Sequence, residues 1–189
     1  MELARLSKPN TYHAADIEED LVNHFGKELY GRLTPDARRY LNSAESLFRQ
    51  SLHAEIKDYR GSLIDFYEAY RHEFRNRVSG PVSRNLIESG HPNYPLVETI
   101  KFVKDSKFNG KLTLGEQIHF LAQDERVRNI VVGSNFNIKE VLRCASRICN
   151  ARNKAAHPDR SVVTESDVRD VRNILRDGLG ALFPERPPD

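Results

Sequence analysis

Residues 138–158 read IKEVLRCASRICNARNKAAHP, and the chain is organised around them. Ile138, Val141, Leu142, Ala145, Ile148, Cys149 and Ala156 recur at helical spacing and form one apolar stripe. At about 100° per residue Arg152 falls inside that stripe. A guanidinium on a face meant for burial is costly unless it is paired or serves a site. Beside the stripe runs a polar line of Ser146, Asn150, Asn153 and His157, all within roughly 60° of one another on the helical wheel. Pro158 disfavours helical geometry at the residue before it, so the spacing predicts a helix end at Ala156 or His157. An Arg, an Asn and a His thus gather at one helix end, with Arg143, Arg147, Lys154 and Arg160 as basic neighbours.

The rest of the chain is helical in pattern. Ile17, Leu21, Phe25 and Leu29 recur every four residues behind an acidic first turn, which predicts a helix over about 16–31. Thr34-Pro35 is a cap followed by a first-turn proline, and Ala37, Tyr40, Leu41, Ala44, Leu47 and Phe48 give that helix an inward face over about 35–52. Ile56, Tyr59, Leu63, Phe66, Tyr67, Tyr70 and Phe74 predict a long third helix over about 54–78. Gly80, Pro81, Gly90, Pro92 and Pro95 punctuate a linker or irregular insertion, and Leu96, Ile100 and Val103 suggest a helix at about 95–105. Thr113 to Glu116 is a capping box for a helix at about 114–123, and Val127, Ile130 and Val131 suggest a further turn. Thr164 to Asp167 is a second capping box, before a last helix at about 165–183. No strand and no internal repeat is evident. The expected fold is all-α, a bundle of amphipathic helices, with a disordered, proline-rich tail over 184–189.

Composition agrees. Of 189 residues, 39% are apolar and 30% charged, which suits amphipathic helices with a heavily charged surface. The net charge of +2 makes the whole molecule no polycation, although 20 arginines stand against nine lysines. The two cysteines, Cys144 and Cys149, sit five residues apart on differing faces of one helix, so a mutual disulfide is geometrically disfavoured. No cysteine–histidine cluster has zinc spacing, so no metal or other cofactor is expected. No phosphate loop or nucleophile elbow supports an ATPase or an α/β-hydrolase. Nothing resembles a signal peptide and no apolar run approaches bilayer length, so the expected place is the cytoplasm, away from membranes.

Arg152-Asn153-Lys154-Ala155-Ala156-His157 has the form Arg, four residues, His, with a polar residue after the Arg. This resembles the signature of the HEPN superfamily, all-α proteins whose Arg, four to six residues, His motif lies late in a helical bundle. Arg84 and His91 also have that spacing, but they lie in the Pro/Gly-rich segment, where no helix fixes their geometry. The resemblance covers roughly 35–183 and implies an up-and-down bundle of about four core helices there, with additional short helices and with residues 1–34 as an N-terminal extension that carries one extra helix. It implies a metal-independent endoribonuclease in which the substrate's 2′-hydroxyl attacks the scissile phosphate. His157 would then act as acid or base, Arg152 would bind the phosphate, and Asn153 would orient the His or the phosphate. Arg143, Arg147, Lys154 and Arg160 would attract the RNA backbone. Family members commonly form homodimers with two motifs facing each other, some have an antitoxin or nucleotidyltransferase partner, and toxins and antiviral-defence effectors are frequent. Others are inactive modules that bind nucleotide, RNA or a protein partner.

The bland reading of the same residues is an Arg in a structural ion pair and a solvated His at a helix end. Glu68 and Glu73 on the third helix are the candidate partners for Arg152, although such residues more often face solvent. Arg75-Asn76-Arg77 reads as a helix C-terminus complementing its dipole, and His119 as a partly buried helix residue.

Overall fold

The computed structural model describes residues 14–54, 57–81, 113–123, 137–157 and 162–183. Every regular element among them is helical and no strand occurs among them. The order is α1 (Ala14–Phe25), α2 (Lys27–Arg32), α3 (Pro35–His53), α4 (Arg60–Phe74) with a π-helical turn (Arg75–Ser79), α5 (Leu114–Gln123), α6 (Ile138–Ala156) and α7 (Glu165–Ala181). Residues 1–13, the expected helix at 95–105, the turn near 127–131, Arg84, His91, Arg160 and the tail from 184 lie outside the described residues, as does the punctuated segment from residue 82 on.

Local chemistry sets most boundaries. The Thr34 hydroxyl accepts from the Ala37 amide at 3.2 Å, and Pro35 opens α3. The Asn137 side chain accepts from the Glu140 amide at 3.2 Å to start α6. Both expected capping boxes form, with the Thr113 amide 2.7 Å from Glu116 and the Thr164 amide 2.7 Å from Asp167. Two expectations need correction. The single first helix is two, because Gly26 adopts φ 83°, a left-handed conformation that no α-helix continues through. The third helix begins at Arg60 rather than near 54, with Tyr59 as its cap residue, and it widens into the π turn after Phe74.

The helix α4 is central: α3, α6 and α7 all pack on it. Leu63, Phe66, Tyr70 and Phe74 are its largest fully buried side chains. The Tyr70 hydroxyl donates to the Val141 carbonyl at 3.2 Å, tying α4 to the start of α6. Ile17, Leu21 and Phe25 of α1 and Tyr30 of α2 enter the same core. Beneath α1, the buried Glu45 carboxylate lies 3.2 Å from Arg49 Nε and 3.4 Å from Arg172 Nε of α7. The second of these is near enough to attract, yet it is not aligned as a hydrogen bond. Arg49 also pairs with Asp20 of α1. His24 Nε2 meets the Arg172 carbonyl at 3.2 Å, and burial pushes the His24 imidazole below its ordinary 6.5.

The helices α6 and α7 run antiparallel. Lys154 pairs with Asp167 at one end, and Gly178 abuts Cys144 near the other. A Cβ at Gly178 would lie 2.9 Å from the Cys144 Cβ and 3.0 Å from a Tyr70 ring carbon. Glycine is what lets α7 sit this close to α6 and α4, and that closeness fixes the register of the two helices.

Candidate functional site

The two faces of α6 differ as their spacing demands. Val141, Ala145, Ile148 and Cys149 are buried. The inward face is slightly rotated from the expected stripe: Cys144 and Ala155 are buried, whereas Ala156 is only half-buried. Both thiols are free and buried, and burial pushes each up to about 11, the guanidinium of Arg152 partly opposing the shift at Cys149. On the opposite face Ser146, Asn150, Asn153 and His157 are all exposed along one line. The helix ends at Ala156, and His157 is its cap residue with φ −119° and ψ 75°, outside the helical region that a following proline disfavours.

Arg152 is half-buried. Its guanidinium carbon lies 5.7 Å from the centre of the Tyr67 ring of α4. It makes no ion pair and no hydrogen bond with the described residues. The two carboxylates expected as partners are engaged elsewhere. Glu68 pairs with Arg71 at 2.7 Å. Glu73 is fully buried, accepts from the Thr34 amide at 2.6 Å and pairs with Arg77 at 2.7 Å. The pairing of Arg152 with Glu68 or Glu73 is therefore corrected: each acid is taken by an Arg one turn along its own helix.

Arg77 does more than complement a dipole. It also donates to the Arg32 carbonyl at 3.0 Å and lies over the Phe183 ring at 3.6 Å, closing the base of the bundle. His119 is exposed rather than partly buried.

The motif residues are not all brought together. From Arg152 to His157 the helix climbs about 7.5 Å and turns about 140°. Arg152 faces α4, whereas Asn153 and His157 face solvent. The expected basic rim is also partly neutralised. Glu140 binds Arg143 through two nitrogens, one at 2.8 Å, and this holds the Glu140 carboxyl down to about 2. Lys154 contacts both oxygens of Asp167, at 2.7 and 2.9 Å. Arg147 is exposed and makes no ion pair with a described residue. Free positive charge at this end therefore rests on Arg147 and Arg152 among the described residues.

One feature of the site was not legible beforehand. A groove of about 280 Å³ runs between α6 and α7 beside the polar line, and it shares Asn150 with that line. Finding it requires the register of the two helices, which Gly178 and the Lys154–Asp167 pair set. Among the described residues no cluster of three or more His, Cys, Asp or Glu side chains is placed to hold a metal ion, and no helix is long and apolar enough to cross a membrane. Comparison with protein-family models, curated proteins and solved structures gives no match for this chain.

Proposed function

We propose that the chain is a HEPN-type endoribonuclease that cuts RNA without a metal. The observation that carries this reading is Arg152, a half-buried guanidinium that pairs with no carboxylate among the described residues, on the helix that presents Asn153 and His157 at its end. An Arg kept only for structure would be expected to hold a counter-charge. An Arg kept for a phosphate has its counter-charge supplied by the substrate.

The chemistry needs few groups. The RNA supplies its own nucleophile, the 2′-hydroxyl. His157 moves the proton from that hydroxyl or to the leaving 5′-oxygen, for which an imidazole is suited near neutral pH. The guanidinium of Arg152 takes up charge on the phosphorane, and Asn153 hydrogen-bonds the phosphate or the imidazole. Arg147 attracts the RNA, while Arg143 and Lys154 contribute only if Glu140 and Asp167 release them. Because Arg152 and His157 diverge on one chain, the reading includes a homodimer in which a second copy faces the same helix end. The products are a 2′,3′-cyclic phosphate or a 3′-phosphate.

The test is to incubate purified protein with single-stranded RNA in EDTA. Wild type cuts, and His157→Ala loses cleavage while keeping its helical circular dichroism. Undiminished cleavage by that variant removes His157 from the mechanism. A strict monomer at micromolar concentration that still cuts at full rate removes the composite site.

A second reading, a non-catalytic helical module that binds nucleotide or RNA, is favoured by one observation. The divergence of about 140° between Arg152 and His157 leaves one chain unable to close both on the same phosphate. Binding without any cleavage in the same assay would select it.

A further inference from the structure

The groove between α6 and α7 has an apolar floor made by Leu63 of α4, Ala151, Val171 and Ile174. The Lys154–Asp167 ion pair lies along its lining. On its walls stand Arg147 and Asn150 from α6 and Asp170 from α7. Arg147 and Asp170 are both exposed, and neither makes an ion pair or a hydrogen bond with a described residue. Two opposite charges therefore border one small, largely apolar slot, both open to solvent and neither in an ion pair with a described residue.

That combination selects among ligands. A phosphate is opposed by the carboxylates of Asp167 and Asp170, and Lys154 is already neutralised. An apolar side chain would use the floor and leave both charges idle. A flat, neutral ring with a donor edge and an acceptor edge uses the floor, the carboxylate and the guanidinium together. Among the bases, adenine and cytosine present one donor group beside an acceptor, and uracil presents one imide N–H between two acceptors. Guanine alone offers two adjacent donors, N1–H and N2–H, to both oxygens of one carboxylate, and a separate O6/N7 acceptor edge to an Arg fork.

We propose that this groove binds a guanine base, with Asp170 accepting from N1–H and N2–H, Arg147 donating to O6 and N7, and the apolar floor taking the ring face. The base belongs to an RNA strand running along the exposed line of α6, so the consequence of the subsite, cleavage beside guanosine, rests on the ribonuclease reading. The binding itself does not.

The test is calorimetric titration of the full chain with GMP, IMP, AMP, CMP and UMP. GMP should bind at least about tenfold tighter than AMP, CMP or UMP. IMP, which lacks the N2 donor, should fall between. Asp170→Asn and Arg147→Ala should each abolish the preference while melting as wild type, since both side chains are exposed. A short single-stranded RNA with one central guanosine should bind tighter than GMP at low salt. An oligonucleotide no tighter than GMP would assign the groove to a free guanine nucleotide instead. Equal affinity for all the nucleotides, no binding at millimolar concentration, or a GMP preference that survives both substitutions would overturn the proposal. Guanine preference without RNA cleavage leaves the groove standing and removes the ribonuclease; cleavage without guanine preference does the reverse.

Discussion

Replacing Arg152 by Ala separates a structural arginine from one that serves a ligand. Its described contact is with the Tyr67 ring, at 5.7 Å. A cation over an aromatic ring at a partly exposed site contributes about 0.5–1 kcal/mol. The aliphatic stem adds a little packing, and relief from holding an unpaired charge half out of water offsets part of it. The net expected loss is about 1 kcal/mol or less, which for a chain of this length lowers Tm by about 2–4 °C. Glu73→Ala on the same bundle is the internal standard. It leaves the Thr34 amide without its acceptor and Arg77 without its carboxylate; because Arg77 is partly exposed, the cost lies at the low end of the about 3–5 kcal/mol for a fully buried pair. Cleavage should respond in the opposite order. Removing a group that stabilises charge only in the transition state lowers the rate by about 10²–10³. Arg152→Lys keeps the charge but not the fork, so it should recover binding more than rate. Thermal melts and RNA cleavage in EDTA, run on the same preparations, give both quantities. An Arg152→Ala protein that melts as low as Glu73→Ala, or one that cuts at full rate, would refute the reasoning.

Two further outcomes follow from the fold. Gly178→Ala should lose about 1–3 kcal/mol, because its methyl meets Cys144 Cβ at 2.9 Å, and in a double-mutant cycle Cys144→Gly should recover part of that loss. His24 is held below 6.5 by burial, so the unfolded chain binds its proton more readily than the folded one. Its contribution is complete above about pH 6.5 and is lost as pH falls through the lower folded value. Denaturant titrations from about pH 7.5 downward should therefore show a stability decline that His24→Gln flattens, and identical slopes in both proteins would remove the assignment.

Much of the helical pattern was readable because its signals are local. Thr34, Thr113, Asn137 and Thr164 satisfy amides three residues away, and Pro158 acts on the residue before it. The break at Gly26 was hidden because Ile17, Leu21, Phe25 and Leu29 keep their period across it, and a glycine inside such a pattern is tolerated as often as it turns the chain. The inward face of α6 was legible, yet the partners of its charges were read at too long a range. Glu140 stands three residues before Arg143, and Glu73 four before Arg77, so both pairs lay within helical spacing. The Lys154–Asp167 pair and the groove beside it depend on how α6 and α7 align, which no single-helix pattern carries.

The supply of carboxylates and their placement do not match at Arg152. The chain holds 27 acidic residues against 29 lysines and arginines, so carboxylates are not scarce. They are distributed so that Arg71, Arg77, Arg143 and Lys154 each hold one, while Arg152 faces an aromatic ring and a thiol. Were packing against Tyr67 the only demand on position 152, an unbranched apolar side chain would meet it without taking a charge out of water. Arg152→Met should therefore match or exceed wild-type stability while RNA cleavage disappears, the trade expected where function holds a residue that folding does not need. A methionine variant clearly less stable than wild type would mean that the guanidinium is structural, and the case for a phosphate site at Arg152 would go with it.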